Sequence, residues 1–256
     1  MRALFVFFSS VFLISFCLSS CKTIISNNEK TGISPSTVLL TFDDGPNHRD
    51  DTTQRLLDVL KKHQVKAVFC LLGVNVVNNP EIVRRIYDEG HLIANHGYSD
   101  KFVYFMKNEE FRENLFLGQR AIAETLGAEI NPKLYRPQGG FYTPSQHKMI
   151  YEEAYEIVHI TIKVLDPFVS SSGKDKLVKR IVKSVTKQNG GILVLHDRRA
   201  GPGRSARKLN KKPDGVYNRS WIPETVDEII TALSEKGFVF ISNEPWEKKG
   251  GSALSH

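Results

Sequence analysis

Short apolar runs alternate with amphipathic segments along most of the chain. The apolar runs have the composition of buried strands, and we predict seven: TVLLTF, KAVFCLLG, HLIANH, KLYRPQ, EIVHITIKVL, GGILVLH and FVFIS. Segments between them, such as TTQRLLDVLKKHQ, repeat apolar residues at helical spacing. TPSQ at 143–146 predicts a capping box that opens a helix. Apolar strands alternating with helices predict a parallel sheet covered by helices, and seven such units favour an α/β barrel.

The N-terminal residues form a separate segment. Arg2 precedes an apolar run that is too short to favour a permanent membrane span and ends in Ser19-Ser20-Cys21. This ending resembles a bacterial lipobox, in which Cys21 becomes lipidated; the alternative is an ordinary secretory signal with a chance cysteine. We therefore predict an exported lipoprotein of the cell envelope, held at a membrane by Cys21. The predicted parts are a signal peptide at 1–20, a lipidated tether at 21–36, one folded domain at 37–242 and a flexible tail at 243–256.

Composition and charge narrow the possible partners. With 41% hydrophobic and 25% charged residues, the chain has the composition of a globular protein. The net charge of +7 is concentrated in residues 198–219. This stretch lacks the interleaved aromatic residues of a nucleic-acid surface, so we predict no nucleic-acid partner and interpret it as a solvated loop. Contact with an anionic envelope polymer or with lipid head groups is the alternative. Cys70 stands alone in the domain and is expected in the core.

Polar residues stand at the carboxyl ends of the predicted strands. They are Asp43 and Asp44 after the first strand, His96 after the third, Arg136 after the fourth, Asp166 after the fifth and His196 after the sixth. Each has a structural alternative, since Asp-Asp-Gly-Pro favours a turn and a lone histidine is more often structural. In a barrel, however, chemistry lies at the carboxyl ends of the strands. Their arrival at one face predicts an active site.

TFDDGP at 41–46 resembles the first motif of the polysaccharide deacetylases, the NodB-homology domain of carbohydrate esterase family 4. The similarity extends over about residues 37–242. It implies a distorted (β/α)7 barrel, which agrees with the strand count. It also implies a hydrolase that removes N-acetyl groups from amino sugars of a cell-envelope polysaccharide or peptidoglycan.

The resemblance implies a role for each catalytic position. Asp43 matches the catalytic base, and Arg136 in YRPQGG matches the arginine that orients it. His196 in LVLH matches the general acid, and Asp166 in VLDPF the carboxylate that tunes it, although the usual tryptophan after it is Pro167.

Two further positions are implied to contact the substrate. Gly139 lies where a backbone N–H helps to bind the oxyanion, and Leu193 is expected to line the acetyl pocket. Gly97, which replaces a hydroxyl residue, and Gln138 depart from the family pattern and are expected to change the groove.

A divalent metal ion is also implied. Asp44 and His96 match family ligands, but Asp100 stands where the family has its second histidine. Residues four apart on a helical turn share a face, and an aspartate oxygen is an accepted zinc ligand. We predict that Asp44, His96 and Asp100 bind the ion, with zinc the first choice and manganese, cobalt or iron as alternatives. The other hypothesis is that Asp100 makes no metal contact and the site is weakened or empty.

Two other functions fit the same residues. An O-acetyl esterase would apply them to a better leaving group. A lapsed, lipid-anchored carbohydrate-binding domain would explain the altered second motif, but it has little need for a base and an acid. The sequence does not indicate which oligomeric state the protein has.

Overall fold

The computed structural model describes residues 22–26, 28–128, 130, 133–198 and 218–241. The strands in these ranges are β1 Lys22–Thr23, β2 Thr37–Asp43, β3 Val68–Leu71, β4 Leu92–Asn95, β5 Leu134–Tyr135, β6 Phe141–Tyr142, β7 Glu156–Ile157, β8 Ile162–Lys163, β9 Gly190–His196 and β10 Val239–Ile241. The α-helices are α1 Asn28–Thr31, α2 Thr52–Lys62, α3 Gly73–Asn78, α4 Pro80–Asp88, α5 Asn108–Leu126, α6 Pro144–Glu152, α7 Lys174–Gln188 and α8 Ile222–Ser234. The predicted signal peptide, Cys21 and the tail lie outside these ranges.

Eight of the strands form one parallel sheet. Its order is β7-β5-β4-β3-β2-β9-β8, and β10 pairs with the start of β2. The central strand β2 pairs with β9 along its whole length and with β3 at its carboxyl end. Every predicted strand occurs, but the fifth is split into β7 and β8, which lie at the two ends of the strand order. The barrel is distorted at this split.

The two faces of β2 show how the strands are buried. Leu39 packs with Cys70 in a cluster made almost wholly of strand residues, the barrel interior. Leu40 and Phe42 face the other way and pack with residues of the covering helices. Burying such a side chain fully stabilises the fold by about 1.5–3 kcal/mol. Asp43 follows the inward alternation and so faces the barrel interior at the end of the strand. Cys70 is buried and free, as predicted.

The segment predicted as a tether packs onto the barrel in its described part. β1 pairs with β6, and Ile24 is buried. The Ser26 N–H donates to the Ile160 carbonyl at 2.9 Å, and the Ile160 N–H donates to the Ile24 carbonyl at 3.0 Å. Ile160 lies between β7 and β8, so this segment covers the split in the barrel. Burial of Ile24 and Ile33 gives the physical reason for the difference from a free tether.

Two features of the helices bear on the predictions. The capping box at the start of α6 is confirmed, because Thr143 Oγ1 accepts the Gln146 N–H while Gln146 Oε1 accepts the Thr143 N–H. None of the helices in the part of the chain described here is both long and apolar enough to cross a membrane.

Candidate active site

Asp43 is paired with a buried arginine at the carboxyl end of the barrel. Arg136 follows β5, and its Nη1 lies 2.6 Å from Asp43 Oδ1 and 2.7 Å from Thr41 Oγ1. Its Nε and Nη2 donate to two backbone carbonyls, which fixes the guanidinium. Burial by itself raises the pKa of Asp43, but the charges of Arg136 and two nearby histidines outweigh it and hold the pKa below its usual value. Asp43 is therefore an ionised carboxylate at neutral pH, as a proton acceptor must be.

His196 lies beside Asp43 on the next strand. The two residues are register partners in the β2–β9 ladder, so their side chains leave the sheet on the same face. His196 Nδ1 lies 2.9 Å from Asp166 Oδ1, and the His196 N–H donates to Oδ2 at 2.9 Å. Burial lowers the pKa of His196, but the charge of Asp166 and its hydrogen bond raise it to about 9. With Nδ1–H committed to Asp166, Nε2–H is the donor available to a substrate.

Asp44 and His96 form a pair suited to a metal ion. His96 Nε2 lies 3.4 Å from Asp44 Oδ1, which is longer than a charge-assisted hydrogen bond of about 2.7–2.9 Å. Two ligands of a tetrahedral ion, each about 2.0–2.1 Å from the metal, are about 3.3 Å apart. His96 Nδ1 donates to the Arg136 carbonyl at 2.6 Å, which leaves Nε2 as the ligand atom. The two side chains therefore fit a shared divalent ion.

Asp100 does not complete this pair into a three-ligand group. It is exposed at the end of the loop that follows His96. Over the ranges that the structure describes, no group of three His, Cys, Asp or Glu side chains could hold a metal ion. The structure thus brings together two of the three predicted ligands, and the role of Asp100 stays a prediction.

Two departures from the family pattern, Gly97 and Gln138, lie against each other. Gly97 has φ +80°, and a Cβ there would collide with the side-chain amides of Gln138 and Asn114. Gln138 Nε2 donates to the Ser99 carbonyl at 2.6 Å. Asn114 Oδ1 accepts the Ser99 N–H at 2.9 Å and the Tyr98 N–H at 3.0 Å. The buried amides occupy the space of the missing side chain and hold the loop after His96.

Gly139 lies under an aromatic ring at the edge of the site. Its φ is +79°, and a Cβ there would lie 2.7 Å from Cδ1 of Phe102. The Phe102 side chain is otherwise largely exposed. Glycine is thus required both by the backbone conformation and by the close approach of the ring. The oxyanion role of the Gly139 N–H stays a prediction.

Leu193 does not lie where an acetyl pocket would need it. It is fully buried and packs in the cluster that joins the sheet to the helices, with Leu195. His196 is three positions further along β9, and residues an odd number apart face opposite sides of a strand. This corrects the expectation that Leu193 lines the pocket. Val194, on the same face as His196, is nearer to that description.

Two buried charged residues beside the site were missed by the sequence predictions. Asp197 follows His196 directly and is fully buried; its hydroxyl donor is Thr53, and its carbonyl accepts from Asn47 Nδ2 at 2.9 Å. Burial raises the pKa of the Asp197 carboxyl to about 6. Arg219 is also buried and pairs with Asp166. The position of Asp197 next to the motif histidine was the only sequence signal for either residue.

The ends of the basic segment 198–219 differ from a solvated loop. Arg198 Nη1 donates to Asn75 Oδ1, and Asn75 Nδ2 donates to the Asp44 carbonyl at 2.8 Å. Arg219 lies in the interior at the other end. Both described ends are therefore attached to residues of the candidate site, which corrects the interpretation of the whole segment as solvated. Residues 199–217 lie outside the described ranges.

A protein-family model described as polysaccharide deacetylase matches residues 30–158. A peptidoglycan-N-acetylglucosamine deacetylase of Bacillus cereus is 38% identical over 129 residues, which make up 50% of this chain and 46% of that protein. The match thus spans about half the length of that relative.

Two solved structures share the fold. One is a peptidoglycan N-acetylglucosamine deacetylase in complex with a small molecule, with a TM-score of 0.66 and 29% identity over 84% of this chain and 89% of that chain. The other is a family 4 acetyl xylan esterase of Clostridium thermocellum in complex with a cobalt ion, with a TM-score of 0.64 and 27% identity over 84% and 92% of the two chains. These likenesses confirm the predicted distorted β/α barrel.

Proposed function

Because the chain belongs to the polysaccharide deacetylase family, we propose that it is a metal-dependent hydrolase that removes N-acetyl groups from amino sugars of a cell-envelope polysaccharide or peptidoglycan. The match to the family model and to the related structure confirms the family and the enzyme class predicted from the motifs. The observation that carries the proposal is the pair of Asp43 and His196 on adjacent strands. A carboxylate with a lowered pKa faces an imidazole with a raised pKa, so base and acid are both in their active forms at neutral pH.

The two residues divide the proton transfers of amide hydrolysis between them. Asp43 takes a proton from the water that adds to the acetamide carbonyl, and Arg136 keeps the carboxylate ionised and oriented. His196 donates its Nε2 proton to the nitrogen as the carbon–nitrogen bond breaks, so that acetate and a free amine leave. The Gly139 N–H is the proposed donor to the oxyanion formed between these steps.

The proposed metal is a divalent ion held by Asp44 and His96, zinc first, with manganese, cobalt or iron as alternatives. A bound divalent ion would lower the pKa of its water and polarise the carbonyl. His96 is buried and held through Nδ1, which leaves its Nε2 beside Asp44, where the two residues would hold the ion. The cobalt ion in the related esterase structure supports the use of a divalent metal.

The substrate class is inferred from relatives that share both sequence and fold. The matching proteins named above include two that act on N-acetylglucosamine of peptidoglycan. The test is to incubate the purified, metal-saturated protein with peptidoglycan fragments and with N-acetylated chitooligosaccharides and to measure acetate. Release that is lost in Asp43→Asn supports the proposal. No release from either substrate, from protein with bound metal, contradicts it.

An O-acetyl esterase is the second candidate, and the acetyl xylan esterase among the related structures favours it. An unprotonated nitrogen would have to leave as an amide anion, which is a far poorer leaving group than an alkoxide, so ester cleavage depends less on His196. The relative loss caused by His196→Ala on an acetylated xylan and on an N-acetylated oligosaccharide separates the two candidates.

We also propose that the protein is exported and anchored by a lipid on Cys21. Support comes from the small-residue site before Cys21 and from the apolar run that precedes it. Mass spectrometry of the mature N-terminus and membrane fractionation test this proposal. Cys21→Ser should leave a protein that no longer sediments with membranes.

A further inference from the structure

Arg219 lies directly behind the Asp166–His196 pair. Its Nη2 is 2.5 Å from Asp166 Oδ2, its Nη1 donates to the Asp166 carbonyl at 3.0 Å, and its Nε donates to the His196 carbonyl at 3.0 Å. The guanidinium also stacks on Trp221, with 4.6 Å from Cζ to the ring centroid. Three of its five N–H donors therefore go to the two residues of the acid pair.

We propose that Arg219 is a positioning residue for the general acid, which holds the Asp166 carboxylate so that the imidazole of His196 keeps one orientation. This inference rests on the proposed function, in which His196 protonates the leaving amine. Asp166 Oδ1 accepts the imidazole Nδ1–H, whereas Oδ2 accepts the His196 backbone N–H and Arg219. Without Arg219, the His196 backbone N–H would be the one donor from the described part of the chain that holds Oδ2, and the carboxylate could rotate and carry the ring with it.

Arg219 matters most after the proton has been transferred. While His196 is cationic, Asp166 has two cationic partners. Once His196 has given its Nε2 proton to the leaving amine, the imidazole is neutral, and among the described residues Arg219 is the cation that still pairs with the buried carboxylate. A buried carboxylate without a cation takes up a proton instead. Arg219 thus keeps Asp166 ionised in both states of the imidazole, so that Nδ1–H stays with the ring.

Stability alone does not account for a buried arginine here. Exchanging a buried ion pair for well-packed apolar residues is often neutral or stabilising, because the pair must be desolvated. The donors of Arg219 instead converge on Asp166 and His196, while the apolar face of the group rests on Trp221. This arrangement fixes the orientation of the His196 imidazole, which the general acid needs in order to transfer its proton to a defined atom of the substrate.

The test compares substrates that differ in their need for an acid. N-acetylated chitooligosaccharide releases an amine that must be protonated, whereas 4-nitrophenyl acetate releases a phenolate that needs no proton. For Arg219→Gln we expect kcat on the amide to fall by about 10–100-fold, with KM and the aryl ester rate nearly unchanged. Arg219→Lys keeps the positive charge but not the several N–H donors of the planar guanidinium, so its kcat on the amide should fall less. Equal losses on both substrates, or no loss on the amide, overturn the proposal.

Arg55→Gln is the matched control. Arg55 holds the same stretch of chain from the surface, since its Nη1 donates to the Ser220 carbonyl at 3.1 Å and its Nη2 pairs with Glu224. It does not belong to the acid pair, so loosening the stretch through Arg55 should leave the ratio of amide to ester rates as in the wild type. A selective amide loss in Arg55→Gln equal to that of Arg219→Gln would overturn the proposal.

A second measurement does not depend on the proposed function. In the ¹⁵N-labelled full chain, the His196 Nδ1–H proton should give a downfield NMR signal that is displaced or exchange-broadened in Arg219→Gln. An unchanged signal overturns the positioning role, even if the wild type releases no acetate and the proposed function fails. If Arg219→Gln does not fold, Arg219→Lys replaces it in both measurements, and a variant with wild-type signal and wild-type substrate ratio is the overturning result.

Discussion

Arg136→Met is expected to lower both the stability and the activity of the protein, with opposite dependence of the two losses on pH. The variant leaves the Asp43 carboxylate, whose side chain is 7% exposed, without its cation. Removing one partner of a buried pair costs about 3–5 kcal/mol of unfolding free energy at neutral pH. In the wild type the pKa of Asp43 is lowered, so the pair stabilises the fold above the unfolded pKa and this stability is lost as pH falls through the folded pKa. In the variant the charge of Arg136 is gone while burial still disfavours the carboxylate, so that pKa rises.

The pH dependence of the two properties then has opposite signs. Acidification should shrink the stability loss of Arg136→Met, because protonation removes the buried charge, whereas activity should recover as pH rises and Asp43 ionises again. Urea denaturation followed by tryptophan fluorescence at pH 5 and pH 7.5, and acetate release between pH 6 and pH 9, measure both trends. The double variant with Asp43→Asn is the control, and it should lose less stability than Arg136→Met alone. A loss that is below about 1 kcal/mol, within the range of an exposed pair, or that is equal at both pH values would refute the reasoning.

Three further predictions concern the metal, Gly139 and the general acid. His96→Ala should lose the bound divalent ion, measured by elemental analysis after dialysis. Asp100→Ala should weaken metal binding less, because Asp100 is exposed. If both variants retained as much metal as the wild type, the proposed ligand set would be wrong. Gly139→Ala should displace the Phe102 ring and abolish most acetate release without unfolding, and wild-type kinetics would contradict this. In metal-free protein, His196 should titrate near pH 9 by NMR. Because this folded pKa is raised, its stability contribution is full below about pH 6.5 and is lost as pH rises through about 9; titration near 6.5 would be the contrary result.

Local pattern was enough to predict the strands and the α6 capping box. Strand alternation and a four-residue capping motif each depend on residues close together in the chain, so both can be recognised in the sequence. The same alternation could have excluded Leu193 from the acetyl pocket, because it is an odd number of residues from His196. The family resemblance carries no information about which face of the strand Leu193 occupies.

Contacts between distant segments could not be predicted in this way. Arg219 reaches Asp166 over 53 residues, and within a basic stretch nothing in its neighbours indicates burial. The match between Gly97 and Gln138 is similar, since each is only a departure from a pattern until the two are placed side by side. Such pairs depend on the curvature of the sheet, which the hydrophobic pattern does not encode.

The site uses one arrangement twice. Arg136 lies behind Asp43, and Arg219 lies behind Asp166, each arginine fully buried and bound also to backbone carbonyls. Buried pairs of this kind add little net stability, because desolvation offsets their attraction. What they fix is charge and direction: Asp43 stays ionised to accept a proton, and Asp166 stays ionised to hold the imidazole that gives one. The two pairs are coupled through His196, which bonds Asp166 and whose charge lowers the pKa of Asp43, so double variants with one change in each pair should show non-additive losses of stability. Their losses of amide hydrolysis should be less than additive, because base and acid act in the same reaction.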